Sequence, residues 1–268
     1  MKTTSVHGMW SSRLMFVLAA TGSAVGLGNI WRFPYITSEN GGGAFVLVYL
    51  GCIAVVGLPI LFSEIVIGRR GRMSPINSLK ELADDAGASR AWMGLGWLGI
   101  IAGFLVLSFY SVVAGWTLAY GFDYFQQLVL GAPAISNPGE TFSNMLASPG
   151  KLIFWHAIFM ILTVGVVALG VEEGLERAVS VLMPTLFVLL LVLLGYGMST
   201  GHFQEALGFL FSPDWSRVSG AMVVTAMGQA FFTLSLGMCA IMAYGAYLPS
   251  HVNVPAVGVA VAFADTLV

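Results

Sequence analysis

Long apolar segments recur along the whole of this 268-residue sequence, and they restrict its fold more than any other feature. A helix needs about 20 apolar residues to cross about 30 Å of hydrocarbon. Because backbone groups in hydrocarbon must find their partners within the segment, each such segment is predicted to be a helix. The sequence therefore predicts an all-α membrane protein with one transmembrane domain, whose spans lie near residues 12–36, 43–68, 92–126, 152–170, 177–199, 218–247 and 255–268.

Composition supports this class and excludes others. Hydrophobic residues make up 57% of the chain and charged residues 9%, with a mean hydropathy of +0.87. A net charge of −2 and a single basic loop exclude nucleic acid as an expected partner. Cys52 and Cys239 fall inside apolar segments, which favours packing over a disulfide or metal site. Membrane lipid is the expected surrounding, and nothing in the sequence indicates an oligomeric state.

Basic residues predict the orientation. The connection after the second span contains Arg69, Arg70, Arg72, Lys80 and Arg90. Lys2 and Arg13, at the start of the first span, and Arg177, between the fourth and fifth spans, fall on the same predicted side of the membrane. By the positive-inside rule, the N-terminus is predicted to be cytoplasmic, in an inner (plasma) membrane. The connections 130–151 and 201–217 then lie outside, the first as a solvated loop and the second with a short surface helix. The seventh span ends without a polar boundary, which predicts an incomplete membrane domain.

The first span is interrupted by the stretch "TGSAVGLGNIWRFP", residues 21–34, which holds three glycines, Asn29 and Arg32. Gly22, Gly26 and Gly28 permit backbone conformations that a β-carbon would forbid. Backbone groups released from a helix in hydrocarbon are costly unless something binds them. The end of one half-helix offers carbonyls to a cation, and the start of the next offers amides to an anion. The stretch therefore predicts a binding site for both.

Simpler interpretations account for part of the pattern. Gly22 and Gly26 fit a G-x-x-x-G contact between helices, but that contact leaves the neighbouring polar residues unexplained. A dinucleotide loop is excluded because no strand precedes the glycines. A second interruption, in "GQAFFTLSLGMCAIMAYGAY", places Thr233, Ser235 and Gly237 in mid-segment. Ser and Thr often bond back to the preceding helical turn, so periodicity leaves that interruption open.

Five stretches, "AVGLGNIWRFP", "ENGGGAF", "GLPI", "SFYSVVAGW" and "GQAFFTLSLG", resemble the neurotransmitter:sodium symporter family, and within it the bacterial amino-acid transporters. The resemblance runs from Trp10 to Val268. It implies an inverted-repeat transporter fold with discontinuous helices 1 and 6, of which this sequence holds the first five-helix repeat and the start of the second. The implied function is sodium-coupled symport of an amino acid by alternating access across the cytoplasmic membrane.

The resemblance also implies two sodium sites. The first would use the Ala24 carbonyl, the Asn29 side chain, the hydroxyl and carbonyl of Thr233, and Asp265. Oxygen ligands of this kind suit a hard cation. The carbonyls of Gly22 and Val25 would supply part of the second site, whose other ligands come from a later helix. The acid that replaces chloride in bacterial relatives falls just beyond Val268, so chloride dependence stays unknown.

The substrate site is implied in the same way. Amides of Leu27 and Gly28 and the Tyr110 hydroxyl would receive a carboxylate, and carbonyls of Ala24, Phe232 and Thr233 would receive an ammonium. Family members that carry monoamines place an Asp at the position of Gly26, so glycine favours a substrate with its own carboxylate. The side-chain pocket would comprise Val106, Tyr110, Phe232, Ser235 and Met238. A hydrophobic or aromatic L-amino acid is therefore expected.

Gates are implied on both sides of the site. Arg32, with Gln229, Phe232 and Tyr110, resembles an extracellular gate; a structural Arg that snorkels outward is the alternative. Trp10, Glu176 and Tyr247 match inner-gate positions. Glu64 is expected to brace the broken helices, or else to be a neutral packing residue.

Two other function classes compete with transport. An intramembrane hydrolase would need a nucleophile with a base, but Ser23 has no partner His in a plausible span, and no H-E-x-x-H or G-x-S-x-G motif occurs. The protein is therefore not expected to be an enzyme. A transport-inactive fragment, or a binding or regulatory membrane protein derived from such a transporter, is the alternative to symport.

Overall fold

The computed structural model describes residues 9–131, 135 and 137–268, so the predicted role of Lys2 in orientation lies outside the described residues. The α-helices in chain order are α1 (Arg13–Ala24), α2 (Phe33–Glu39), α3 (Gly43–Cys52), α4 (Leu58–Gly71), α5 (Pro75–Asp85), α6 (Met93–Leu130), α7 (Pro138–Leu146), α8 (Pro149–Ala168), α9 (Arg177–Ser199), α10 (Phe203–Phe211), α11 (Gly220–Thr233), α12 (Ala240–Ala246) and α13 (Val254–Leu267).

Within the described residues, four continuous helical stretches are long and apolar enough to cross a membrane: Gly43–Gly71, Arg90–Leu130, Pro149–Ala168 and Val171–Ser199. A fifth span results if α1 and the stretch Gly28–Glu39, which meet at a bend of 47°, are counted together. α11 and α13 are shorter apolar helices. The described chain therefore has the all-helical membrane architecture that the apolar segments predicted.

Polar side chains at the helix starts fix where several helices begin. Ser12 accepts a hydrogen bond from the Met15 amide at the start of α1, and Ser219 and Asn253 do the same for α11 and α13. Each cap pairs an amide that the first helical turn leaves without a partner. α5 and α7 are additional helices inside connections, and α7 lies where the sequence predicted a solvated loop.

Two compact units make up the chain. The first joins Met1–Ile100 to Gly170–Val268, and the second is Ile101–Leu169. The core of the first unit is built from fully buried side chains of several helices, among them Phe16, Phe45, Leu61, Ile65, Leu234 and Ile241. In the second unit, aromatic pairs join its helices, with ring centroids 5.3 Å apart for Trp116 and Phe142 and 5.6 Å for Phe122 and Trp155.

α4 and α12 cross with almost no side chain between them. A β-carbon built on Gly68 would collide with the Met242 carbonyl, and one built on Gly245 would lie 2.8 Å from the Ile65 carbonyl. Both crossing positions are therefore restricted to glycine. Such backbone-to-backbone contact through small residues is the usual way helices approach closely in membranes.

Candidate functional site

The first break lies between α1 and α2. α1 ends at Ala24, Val25 is extended (φ −71°, ψ 117°), and the chain resumes as a π-helical turn over Gly28–Arg32. The prediction of a discontinuous first span is confirmed. The Gly26 amide donates to Asn29 Oδ1 at 3.2 Å, and the Asn29 amide donates to the Gly26 carbonyl at 3.2 Å. The carbonyls of Gly22 and Val25 thus lose their usual helical donors four residues on.

The glycines of this break do not adopt the special backbone angles that the sequence analysis expected. Among the described residues, the glycines with positive φ do not include Gly22, Gly26 or Gly28. They are needed for space instead. A β-carbon on Gly22 would lie 3.0 Å from Met183 Sδ, and one on Gly28 would lie 3.1 Å from Phe232 Cδ1. The expectation that these glycines supply backbone that a β-carbon would forbid is therefore not met by positive φ, and for Gly22 and Gly28 the close approach of Met183 and Phe232 is the reason for glycine.

The second break, residues 234–239, separates α11 from α12. Here the backbone is left-handed at Ser235 (φ 54°), Gly237 (φ 78°) and Cys239 (φ 60°). The Gly237 amide donates to Glu64 Oε1 on α4 at 2.7 Å, in keeping with the bracing role expected for Glu64. Helix 6 of the family fold is thus discontinuous, which settles the interruption that periodicity left open.

One hydroxyl joins the two breaks. Ser235 Oγ donates to the Ser23 carbonyl at 2.9 Å, and Ser235 is 6% exposed. The Ser23 carbonyl is in the last turn of α1, where helical partners run out. Ser235 was expected to line a substrate pocket, and its hydroxyl is used between the two chain segments instead of bonding back along its own helix. Sequence reasoning missed Ser23 as its partner.

A buried polar cluster lies where both breaks meet α13. Asn29 Nδ2 donates to Asp265 Oδ1 at 2.9 Å and to the Asp265 carbonyl at 3.0 Å. Thr233 Oγ1 lies 2.9 and 3.0 Å from the two carboxylate oxygens of Asp265. Exposure falls from 9% at Asn29 to 1% at Thr233 and 0% at Asp265. The Tyr49 side chain hydrogen-bonds to Thr233, a neighbour that the sequence analysis missed.

The Asp265 carboxylate has neutral hydrogen-bond donors around it. The ion pairs of the described residues are exposed and lie elsewhere, at Arg90–Asp84, His202–Glu205 and Arg217–Asp214. A buried carboxylate is costly without a counter-charge. The described residues also hold no group of three or more His, Cys, Asp or Glu side chains suited to a metal ion. One carboxylate beside amide and hydroxyl oxygens is ligand chemistry that suits a hard cation.

On the α2 side of the cluster lie two predicted gate residues. The Arg32 guanidinium lies over the Phe232 ring, with 5.0 Å from Cζ to the centroid. Gln229 is fully buried and its Nε2 donates to the Gly28 carbonyl at 2.9 Å. The structure therefore brings Arg32 onto Phe232 by a cation–π contact, while the Gln229 amide nitrogen holds the start of the π-helical turn.

At the other end, Trp10 packs on the end of α12. Its backbone amide donates to the Tyr247 carbonyl at 3.1 Å, and its indole Nε1 donates to the Tyr244 carbonyl at 3.1 Å. The Trp10 ring meets the Tyr247 ring edge-on with centroids 6.5 Å apart. Glu176 accepts hydrogen bonds from the amide and hydroxyl of Ser11. The three predicted inner-gate residues are thus engaged at this end.

The remaining predicted site residues lie in the second break, on α6 and at the start of the second half-helix. Met238 lies half-buried in the second break. Val106 and Tyr110 lie on α6, in the second compact unit. Their predicted contact with a substrate stays a prediction, as do the roles of the Leu27 and Gly28 amides.

Comparison with known proteins places the chain among transporters. The profile of the "Sodium:neurotransmitter symporter family" matches residues 7–133 and 135–268. The uncharacterized sodium-dependent transporter YhdH of Bacillus subtilis is 39% identical over 92% of this chain and 53% of its own length. An uncharacterized sodium-dependent transporter of Haemophilus influenzae is 33% identical over 97% of this chain and 58% of its own length.

More distant and solved relatives agree. A sodium-dependent neutral amino acid transporter of Bos taurus is 29% identical over 89% of this chain and 36% of its own length. The crystal structure of MhsT in complex with L-phenylalanine has a TM-score of 0.87 at 49% identity, over 97% of this chain and 58% of MhsT. The chain spans about half the length of the curated bacterial relatives it matches. It belongs to the sodium:neurotransmitter symporter family.

Proposed function

We propose that this protein binds sodium and a hydrophobic or aromatic L-amino acid at the two helix breaks and takes part in their coupled transport. The observation that carries the proposal is the fully buried Asp265 carboxylate, held by Asn29 and Thr233 with neutral hydrogen bonds alone. A sodium ion would supply the missing counter-charge. Membership of a sodium symporter family supports the same assignment.

Sodium would be held by oxygen atoms of both breaks and α13. Asp265 would supply charge, and Asn29 Oδ1, Thr233 Oγ1 and the Ala24 carbonyl would complete the first site. The Gly22 and Val25 carbonyls would contribute to the second site. The local geometry supports this role, because the Gly26 and Asn29 backbone amides, which would pair with these carbonyls in a continuous helix, bond to other acceptors.

An amino acid fits the same place because it carries charges of both signs. Gly26 leaves room for a substrate carboxylate near the start of the second half-helix, whose amides at Leu27 and Gly28 would receive it. The substrate side chain would meet Phe232 and Met238 beside the second break. The L-phenylalanine of the MhsT crystal structure supports an aromatic or hydrophobic substrate. As a transporter, the protein would leave the solute chemically unchanged.

The test is sodium-dependent binding and uptake of labelled amino acids in proteoliposomes, on this chain and on any longer chain that contains it. L-Phenylalanine binding should rise with sodium, and Asn29→Ala should weaken that dependence at least about tenfold, since a ligand and a brace are both lost. The matched control is Asn77→Ala, an exposed asparagine on α5. Sodium dependence that Asn29→Ala leaves unchanged would overturn the first ion site. Binding without uptake in either chain would overturn transport and leave a binding protein.

A further inference from the structure

Arg72 occupies a position where glycine would fit the backbone better. It follows the last residue of α4 with left-handed dihedral angles, φ 57° and ψ 23°, and its amide donates to the Gly68 carbonyl at 2.9 Å. This is the usual helix end, at which glycine avoids the crowding of a β-carbon. A long cationic side chain at that point therefore calls for a compensating interaction.

The side chain makes that interaction with another helix. Arg72 is 3% exposed, and its Nη1 donates to the Ala246 carbonyl, the last of α12, at 3.0 Å. The same nitrogen lies 3.6 Å from Met9 Sδ. Carbonyls of a final helical turn have no partner in their own helix and carry partial negative charge. A guanidinium supplies both a hydrogen-bond donor and a positive charge to these carbonyls.

α4 also contacts the other end of the segment 237–246, which contains α12. Glu64, two turns earlier on α4, accepts the Gly237 amide in the second break. Between these contacts the two backbones touch at Gly68 and Gly245. α4 thus offers an acid to the amide end of the segment 237–246 and a base to its carbonyl end, matching the direction of the helix dipole.

We infer that Arg72 is a cap of the half-helix α12 that fixes α12 to α4, separate from the cap that Trp10 provides. Trp10 covers the carbonyls of Tyr244 and Tyr247 from a different chain segment. If the inner gate of the proposed transporter opens by withdrawal of Trp10, Arg72 keeps the end of α12 paired. The capping role itself does not depend on the transport proposal.

Hydrogen–deuterium exchange of the protein in lipid nanodiscs tests this role. Arg72→Gly removes the guanidinium and at the same time suits the left-handed backbone, so α4 should keep its protection. Amides of residues 243–248 should exchange roughly tenfold faster, as expected for loss of a charged hydrogen bond at a helix end. The matched control is Arg70→Ala, which removes an exposed arginine two residues away and should leave both segments unchanged.

Three outcomes would overturn the inference: unchanged exchange at 243–248 in Arg72→Gly, equal acceleration in α4 and α12, or the same acceleration in Arg70→Ala. Sodium-dependent L-phenylalanine binding is measured in parallel. It should change less than about twofold in Arg72→Gly, because Arg72 contacts the end of α12 remote from Thr233. If no variant binds the amino acid, the proposed function fails while the exchange data still decide the cap.

Discussion

The two helix breaks border one polar cluster, but different interactions stabilise their interrupted backbones. The first is rich in glycine, yet Gly22, Gly26 and Gly28 all keep negative φ, and the break is braced by Asn29 from within. The second contains a single glycine, Gly237, yet Ser235 and Cys239 also adopt left-handed backbone. That break depends on Glu64 from another helix. Glycine content therefore marks close packing in one break, and tertiary contacts impose the conformation of the other.

This difference predicts the largest effect at Glu64. Glu64→Ala removes the acceptor of the Gly237 amide and should lower the free energy of unfolding by about 2 kcal/mol, because that amide is left without its partner. Glu64→Gln keeps an oxygen acceptor and should recover most of that loss. Thermal denaturation in detergent micelles measures both. A smaller effect for Glu64→Ala than for Asn29→Ala would mean that the second break does not depend on outside support.

A change at Gly26 probes the first break without altering its backbone, since Gly26 has no positive φ. Gly26→Asp should weaken L-phenylalanine binding by about tenfold, because it would place a negative charge beside the proposed substrate carboxylate. Gly26→Asn, with nearly the same volume and no charge, is the control. Equal dissociation constants for the two variants would count against a substrate carboxylate at this position.

Substitutions at Ser235 can separate the strain of its left-handed backbone from the stabilisation by its hydrogen bond to the Ser23 carbonyl. Ser235→Ala loses the bond to Ser23 and should destabilise the protein by about 1 kcal/mol. Ser235→Gly loses the same bond but removes the left-handed strain, so its net change should be close to zero. Chemical denaturation of both variants gives the difference. If Ala and Gly are equally stable, residue 235 stores no backbone strain.

The smallest effect is expected at the exposed pair Arg90–Asp84, which belongs to neither break. Hydrogen bonds from Arg90 lower the pKa of Asp84 below its ordinary value. Because the folded-state pKa is depressed, any stabilisation is present above the unfolded pKa of about 3.9 and is lost as pH falls through the folded pKa. Solvent screens this pair. Asp84→Asn should thus leave the Tm at pH 7 unchanged, and a clear decrease would contradict that.

The sequence predicted the location of the first break better than its cause. Three glycines beside Asn29 and Arg32 in an apolar span are enough to predict that the helix stops. They do not show whether glycine serves φ or space, because that depends on Met183 and Phe232, which approach from other helices.

The second break was harder to predict for a physical reason. Ser and Thr usually bond back along their own helix, and nothing local reveals that Ser235 reaches across to Ser23. Left-handed Ser and Cys are rare, so no propensity predicts them. Asp265 joined the site through family resemblance, and Tyr49 was missed because one tyrosine in an apolar helix carries no signal of its neighbours.

If Asp265 binds the proposed sodium ion, the hydrogen-bond donors around its carboxylate would govern how easily that ion leaves. Asn29 and Thr233 already satisfy the carboxylate with their N–H and O–H groups. An arriving cation would have to turn both groups so that lone pairs replace protons, and its net affinity would be the difference between the two arrangements. When the ion leaves, the Asn29 amide and the Thr233 hydroxyl would again donate their hydrogen bonds to the Asp265 carboxylate. A centre built this way can empty without ever exposing a bare negative charge to the membrane interior.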